Sequence, residues 1–163
     1  MPAQGLNLFI VDDNKSLVTA LKQYLQNKFG FSLNISTFND GESCLQKLKD
    51  DTHIVILDHY MEGKNGVEVL KSIKSINPNT EVIMLSNHAD MAIAVESFRA
   101  GAIDYVVKGP TSWNKITKHI NYIITAPIRL IVKEFRVSKY MAIFMLTFLT
   151  MAVVVVTALH FLK

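Results

Sequence analysis

The stretch Leu6-Asn-Leu-Phe-Ile-Val-Asp-Asp-Asn14 is an apolar run that stops abruptly at two carboxylates. Runs that are apolar throughout, without alternation, are typical of strands covered on both faces. Four further runs of strand-forming residues follow it along the chain, at Leu33–Phe38, Ile54–Leu57, Glu81–Leu85 and Asp104–Val107. The sequence therefore predicts five short strands, of which Ile54–Leu57 is the most apolar.

Between and after these runs, apolar residues recur at helical spacing. The first predicted helix begins at Ser16 and ends at Gly30. Four more are predicted, over Glu42–Leu48, Gly66–Ile76, Asp90–Ala100 and Trp113–Ile124. Pro127 is expected to end the last of them. Regular alternation of strand and helix predicts an α/β fold, with a doubly wound five-stranded parallel sheet, (βα)5, and right-handed crossovers.

Composition divides the chain at about residue 126. Residues 1–126 carry 12 Lys and Arg against 13 Asp and Glu, whereas residues 127–163 carry 5 against 1. The net charge of +3 thus belongs to the C-terminal part, and it does not indicate nucleic-acid binding. The single cysteine, Cys44, excludes an internal disulfide and fits a reducing compartment. The N-terminus lacks the basic region of a signal peptide.

Residues 140–162 raise the mean hydropathy to +0.24, and their only acidic or basic residue is His160. A helix of this length spans about 34 Å, enough to cross a bilayer. We therefore predict a single-pass transmembrane helix over 140–162, preceded by a basic juxtamembrane helix over 127–139. The positive-inside rule then places the N-terminal domain, 1–126, in the cytoplasm. The alternative is a long helix buried in an oligomer.

Reactive side chains follow four of the five strands. Asp12 and Asp13 follow the first, Asp58 the third, Ser86 the fourth and Lys108 the fifth. In doubly wound sheets the carboxyl ends of the strands form one edge, so we expect these groups to cluster. Three close carboxylates repel one another unless a cation or protons intervene, and Mg²⁺ suits oxygen ligands of this kind. A carboxylate flanked by a metal and a lysine can act as a nucleophile toward phosphorus.

The same residues occur in four short motifs, Val11-Asp-Asp-Asn14, Leu57-Asp-His-Tyr-Met61 with Gly66 beyond it, Met84-Leu-Ser-Asn87 and Gly101-Ala-Ile-Asp-Tyr-Val-Val-Lys108. In this order they resemble the receiver domain of bacterial two-component response regulators, over about residues 5–126. The resemblance implies the flavodoxin-like receiver fold.

The resemblance also implies a metal and an acceptor. Asp58 would be the phosphoacceptor, while Asp12, Asp13, Asp58 and the backbone carbonyl of Tyr60 would hold Mg²⁺. The phosphoryl donor would be a histidine kinase or a phosphotransfer protein.

Three further residues gain roles from the resemblance. Ser86 and Lys108 would contact the phosphoryl oxygens. Tyr105 would be the aromatic side chain that swings inward when Ser86 moves toward the phosphate. A hydroxyl that bonds better to a phosphoryl group than to a bare carboxylate can distinguish two states of the domain.

The chain departs from the family pattern at several positions. Gly109 stands between Lys108 and Pro110, where the family usually has proline directly after the lysine. Glu62 replaces the usual proline of the acceptor loop, and Asn87 is larger than the alanine or glycine common there. We expect altered rates and retained chemistry.

These features predict a membrane-anchored single-domain response regulator that is not an enzyme. It is expected to signal by protein contact at the membrane, or to act as a phosphate relay or sink. One alternative is a membrane-tethered binding module that works without phosphorylation. Another is a phosphohydrolase of the haloacid dehalogenase type, but that class expects a D-x-D pair after the first strand, whereas Asp12 and Asp13 are adjacent. The five histidines show no ligand spacing with Cys44, which argues against a zinc site.

Overall fold

The computed structural model describes residues 5–61, 65–134 and 139–161, with side chains up to residue 125 and over 143–155 and 157–158. The chain divides into two compact units, Met1–His119 and Ile120–Lys163. The first unit contains the sheet and every predicted site residue.

The first unit is built on a five-stranded sheet. Its strands are β1 Leu6–Val11, β2 Leu33–Phe38, β3 Thr52–Asp58, β4 Glu81–Ser86 and β5 Asp104–Val107. All neighbouring pairs are parallel, and the order is β2-β1-β3-β4-β5. The predicted parallel sheet is confirmed. Strands β3 and β4 extend one residue beyond the predicted ends, so Asp58 and Ser86 are the last residues of their strands.

The helices are α1 Lys15–Phe29, α2 Gly41–Lys47, α3 Gly66–Ile76, α4 Met91–Arg99, α5 Ser112–Glu134 and α6 Lys139–Phe161. A 3₁₀ turn, Gly30–Ser32, follows α1. The first four helices begin where a short polar side chain accepts a hydrogen bond from the first turn, namely that of Asn14, Asp40, Asn65 or Asp90. Local sequence therefore sets these helix starts.

The core lies on both faces of the sheet. Alternate residues of β1 divide between the faces, with Phe9 and Val11 packing in a cluster with α2 and α3 residues such as Cys44 and Leu70. Strand β3 is buried almost throughout, from Ile54 to Asp58, because it has a strand on each side and helices above and below. A fully buried strand of this kind fixes the position of the residue at its end.

Helix α5 corrects one prediction. It does not end at Pro127 but continues to Glu134. Proline was expected to stop the helix because it lacks an N–H donor, yet one missing hydrogen bond does not end a helix whose neighbouring residues remain helical. Part of the predicted juxtamembrane helix, 127–139, is thus a continuation of α5, while residues 135–138 lie outside the described part.

The transmembrane helix predicted over 140–162 also needs correction. A helix, α6, is present there. A span requires about 20 consecutive apolar residues, and among the residues that the structure describes no helix is both long and apolar enough to cross a membrane. The predicted span is therefore not supported.

Candidate functional site

The carboxyl-terminal edge of the sheet brings the predicted residues together. Asp12 follows β1 and Asp58 ends β3, and these strands are neighbours, with Val11 paired to Leu57. Lys108 follows β5, and its backbone N–H donates to the carbonyl of Ser86 at the end of β4 (2.8 Å). The expectation that these groups share one edge is confirmed.

The side chain of Lys108 bridges two buried carboxylates. Its Nζ lies 2.7 Å from Oδ2 of Asp12 and 2.9 Å from Oδ1 of Asp58. The side chains of Asp12 and Asp58 are 0% and 2% exposed, and that of Lys108 is 15% exposed. Because the two carboxylates have almost no contact with solvent, the ammonium group is the principal charge that balances them.

The burial of this cluster shifts the ionisation of its members. Burial raises the pKa of Asp58, and the negative charge of Asp12 adds to this effect, while the hydrogen bond from Lys108 opposes it. Burial alone would lower the pKa of Lys108, but the hydrogen bonds and charges of Asp12 and Asp58 outweigh it, so that this pKa is raised. The site thus keeps a protonated lysine beside carboxylates that favour additional positive charge.

A third carboxylate completes an acidic cluster. Carboxylate oxygens of Asp12, Asp13 and Asp58 lie within 4.8 Å of one another, and Asp13 is exposed. The Oδ2 atom of Asp12 is buried and, among the described residues, its one partner is the ammonium group of Lys108 in the ion pair. Three negative charges face one ammonium group, and all the available donors are hard oxygens. These residues therefore fit a hard divalent cation such as Mg²⁺.

Backbone groups hold the two buried carboxylates in place. The N–H of Asn14 donates to Oδ1 of Asp12 (2.9 Å), and the N–H of His59 donates to Oδ1 of Asp58 (2.9 Å). Since Oδ1 of Asp58 also faces Lys108, it has two partners, and the described contacts include none to its Oδ2. The two oxygens of Asp58 are therefore not equivalent.

Gly66 lies against the backbone of Asp58, the last residue of β3. Its N–H donates to the carbonyl of His59 (3.0 Å), and a Cβ placed on it would overlap the backbone carbonyl oxygen of Asp58. The sequence singled out Gly66 by its spacing from Asp58, and the structure supplies the physical reason, which is close backbone approach.

Ser86 and Tyr105, the predicted switch pair, both contact His88. The backbone N–H of His88 donates to Oγ of Ser86 (3.2 Å), and the hydroxyl of Tyr105 donates to the carbonyl of His88 (2.9 Å). Ser86 is fully buried, whereas Tyr105 is partly exposed. Sequence reasoning did not find this link, because it passes through the backbone of His88 and carries no side-chain signature.

Two other histidine arrangements escaped the sequence analysis. His59 is buried, its Nδ1 has no hydrogen-bond partner among the described residues, and burial lowers its pKa. Nε2 of His119, on α5, lies 2.7 Å from Oδ2 of Asp104, beside Tyr105. No spacing rule connects residues 15 positions apart on a strand and a helix.

Other predicted roles have simpler outcomes. Cys44 is buried in the core, and burial raises the pKa of its thiol to about 12. The ring of Trp113 packs against that of Tyr24, with centroids 5.0 Å apart. Tyr60 has a half-exposed side chain, and the metal-binding role of its carbonyl stays a prediction. Glu62 lies outside the described residues.

Comparison with known families identifies the domain. Residues 8–121 match the family described as response regulator receiver domain. The chain belongs to this family.

The chain is similar in sequence to two transcriptional regulators. The receiver is 30% identical over 117 residues to the transcriptional regulatory protein ZraR of Klebsiella oxytoca, a match of 71% of this chain and 26% of that protein. It is 35% identical over 102 residues to the DNA-binding transcriptional regulator NtrC of Escherichia coli K12, a match of 62% and 21%. The chain thus spans about a quarter of the length of these relatives.

Solved structures agree in fold. The BeF3-activated DrrB receiver domain superposes with a TM-score of 0.65 at 28% identity, over 74% of this chain and 97% of that one. The response regulator TrrA of Thermotoga maritima, in complex with Mg²⁺-BeF, gives a TM-score of 0.63 at 27% identity, over 72% and 97%.

Family membership establishes the general activity. The chain contains a flavodoxin-like receiver domain of a two-component response regulator, a domain that accepts a phosphoryl group from a histidine kinase or a phosphotransfer protein. Receiver domains generally bind Mg²⁺ at an acidic pocket, which here corresponds to the cluster of Asp12, Asp13 and Asp58.

Proposed function

We propose that this receiver accepts the phosphoryl group on Asp58 and signals through contact with a partner protein. The observation that carries the proposal is the contact of Lys108 with both Asp12 and Asp58 at a sheet edge that also holds Asp13. Positioning and charge neutralisation supply most of the catalysis of phosphoryl transfer, and this edge provides both.

The two oxygens of Asp58 suggest which one reacts. Oδ1 is held by Lys108 and by the N–H of His59, so we assign the attack on phosphorus to Oδ2. An O–P bond to Asp58 then forms as the bond from phosphorus to the donor's nitrogen or oxygen breaks, and the donor group leaves with that electron pair. Asp12, Asp13, Asp58 and the Tyr60 carbonyl would hold Mg²⁺, and the bound ion would neutralise charge on the phosphoryl oxygens.

Lys108 and Ser86 are the residues that would respond to the new group. The ammonium of Lys108 can pair with a phosphoryl oxygen because it already faces Asp58 at 2.9 Å. Movement of the Ser86 hydroxyl toward the phosphoryl group would break its hydrogen bond with His88, whose carbonyl holds Tyr105. The change would then reach Tyr105 through two hydrogen bonds.

The geometry around Gly109 counts against a phosphorylation-independent binding module. That alternative supposes that the departures from the family pattern near Lys108, such as Gly109 before Pro110, weaken the switch. Instead the backbone N–H of Lys108 bonds to Ser86, and the carbonyl of Gly109 accepts a hydrogen bond of 2.7 Å from Oγ of Ser112. Both contacts support a lysine held in the acceptor site.

Output and location complete the proposal. We propose that the chain turns over no substrate of its own and acts by protein contact at the cytoplasmic face of a membrane. The exposed apolar side chains of α6, such as Phe144, Phe148 and Met151, support membrane attachment; crossing of the bilayer is not part of the proposal. Recovery of the full-length chain in the soluble fraction of a lysate at low salt would contradict attachment.

Phosphorylation of Asp58 can be tested directly. The purified chain is incubated with acetyl phosphate and Mg²⁺ and resolved on a Phos-tag gel. A retarded band is expected for the wild type and for Asp50→Asn, a control at an exposed turn, and no such band for Asp58→Asn. An unshifted wild type, or a shifted Asp58→Asn, would overturn the proposal. Sustained hydrolysis of p-nitrophenyl phosphate would instead indicate a phosphohydrolase.

A further inference from the structure

A groove of about 590 Å³ lies beside the outer strand of the sheet, and its lining includes none of the predicted acceptor-site residues. Residues 34–38 of β2 and Asn7 and Phe9 of β1 form its floor and side, and lysines contribute to its lining. No part of the phosphorylation mechanism uses it.

Polar groups form part of the groove beside β2, the outermost strand of the sheet. The side-chain amide of Asn34 donates to Oδ1 of Asn7 (3.2 Å), and that of Asn7 donates to the carbonyl of Asp51 (3.0 Å). The rings of Phe9 and Phe38 pack against each other, with their centroids 4.8 Å apart.

In the part of the chain that the structure describes, no strand pairs with the outer side of β2. The carbonyl of Phe38 accepts a hydrogen bond from the N–H of Asp12, so Phe38 directs its backbone groups toward β1. Because alternate residues of a strand point their N–H and C=O to opposite sides, Ile35 and Thr37 direct theirs to the open side. An added strand needs such a row of donors and acceptors.

The charge of the groove is positive. Lys22, Lys47 and Lys49 line it, against one acidic residue, Asp51. The two lysines at 47 and 49 are exposed. An extended segment lying on β2 would therefore place its side chains near three ammonium groups.

We propose that this groove binds an acidic, extended segment of a partner protein as a sixth strand on β2. Backbone hydrogen bonds would give affinity, and the lysines would select acidic side chains. A second copy of β2 would bring the same lysines face to face, which disfavours pairing between two copies. A nucleic acid matches the charge but lacks the alternating donors and acceptors of a peptide strand.

The test uses the full-length chain and two synthetic peptides. One is an acetylated, amidated octapeptide that alternates Glu and Val, and the other alternates Lys and Val. The acidic peptide is expected to shift the backbone amide NMR signals of residues 33–38 and to slow hydrogen exchange at Ile35 and Thr37. The basic peptide is expected to do neither.

Charge-reversed variants separate the groove from general attraction. Lys47→Glu/Lys49→Glu is expected to weaken binding of the acidic peptide at least about tenfold. Lys115→Glu/Lys118→Glu changes the net charge equally but lies on α5, so its affinity is expected to match the wild type.

Several outcomes would overturn the proposal. Equal weakening by both double variants would mean that binding reflects overall charge. A short oligothymidylate that binds as tightly as the acidic peptide, without protecting Ile35 and Thr37 from exchange, would indicate a general polyanion surface. Absence of binding by the acidic peptide would mean that the lysines only keep the open edge from pairing.

Discussion

The ammonium nitrogen of Lys108 lies 2.9 Å from Oδ1 of Asp58, and neither side chain is more than 15% exposed. The lysine comes from the end of β5 and the aspartate from the end of β3, with β4 between these strands. The contact therefore exists only once the sheet has formed. The same contact stabilises the fold and forms part of the phosphorylation site. Substitution of either residue should therefore affect both stability and phosphorylation.

Replacing Lys108 by methionine should destabilise the domain and abolish phosphorylation. Asp12 and Asp58 would remain buried without their counter-charge, a change that typically costs about 3–5 kcal/mol. Urea unfolding in the absence of Mg²⁺ measures the loss. Added Mg²⁺ should restore part of the stability, because the same carboxylates would bind it. If Lys108→Met were as stable as the wild type, the ion pair would contribute little to the free energy of unfolding.

Mg²⁺ should stabilise the native protein. A ligand that binds only the folded state at tenfold excess over its dissociation constant adds about 1.4 kcal/mol to the free energy of unfolding. The gain should fall in Asp13→Asn, which removes an exposed carboxylate of the cluster, and persist in Asp50→Asn. Thermal unfolding with and without Mg²⁺ provides the comparison. Equal gains in both variants would place the ion elsewhere.

The raised pKa of Asp58 predicts how stability depends on pH without metal. A carboxyl whose folded pKa exceeds its ordinary value of 3.8 binds its proton more tightly in the native state. Its contribution to stability is complete below 3.8 and is lost as pH rises through the folded pKa. Asp58→Asn should therefore be more stable than the wild type at pH 7, with the difference shrinking as pH falls toward 4. If the difference in stability between Asp58→Asn and the wild type grew as pH fell, the pKa of Asp58 would be lowered in the folded protein, not raised.

Two glycine substitutions should behave differently. Gly66→Ala places a methyl group against the backbone carbonyl of Asp58, whereas nothing lies within 4 Å of the corresponding position at Gly109. Overpacking against backbone costs about 1–3 kcal/mol, while an unobstructed surface change stays within about 0.5 kcal/mol. Chemical denaturation of both variants tests this. Similar stabilities would mean that the loop before Gly66 moves away freely.

Removal of the Tyr105 hydroxyl should weaken the link to the β4–α4 loop. Tyr105→Phe loses the hydrogen bond to the carbonyl of His88, worth about 0.5–1.5 kcal/mol. Tyr60→Phe removes a hydroxyl from a half-exposed ring and serves as the control. Stability is measured by denaturation, and exchange at the amides of residues 87–90 should increase only in Tyr105→Phe. If hydrogen exchange at residues 87–90 were unchanged in Tyr105→Phe, the Tyr105 hydroxyl would not stabilise the β4–α4 loop.

The local pattern of the sequence determined much of this protein. Each strand contains a short run of strand-forming residues, and each of the first four helices starts at a capping side chain, so their positions were readable from neighbouring residues alone. Asp12, Asp58 and Lys108 were likewise predictable as neighbours, because parallel strands joined by helices place their carboxyl ends at one edge.

Only the tertiary structure decided which atoms meet. It showed that one oxygen of Asp58 is occupied by Lys108 and His59, and that Ser86 and Tyr105 are joined through the backbone of His88. It also showed the basic groove beside β2. Hydropathy and capping act between residues close in sequence, whereas these contacts depend on how elements far apart in the chain pack against one another.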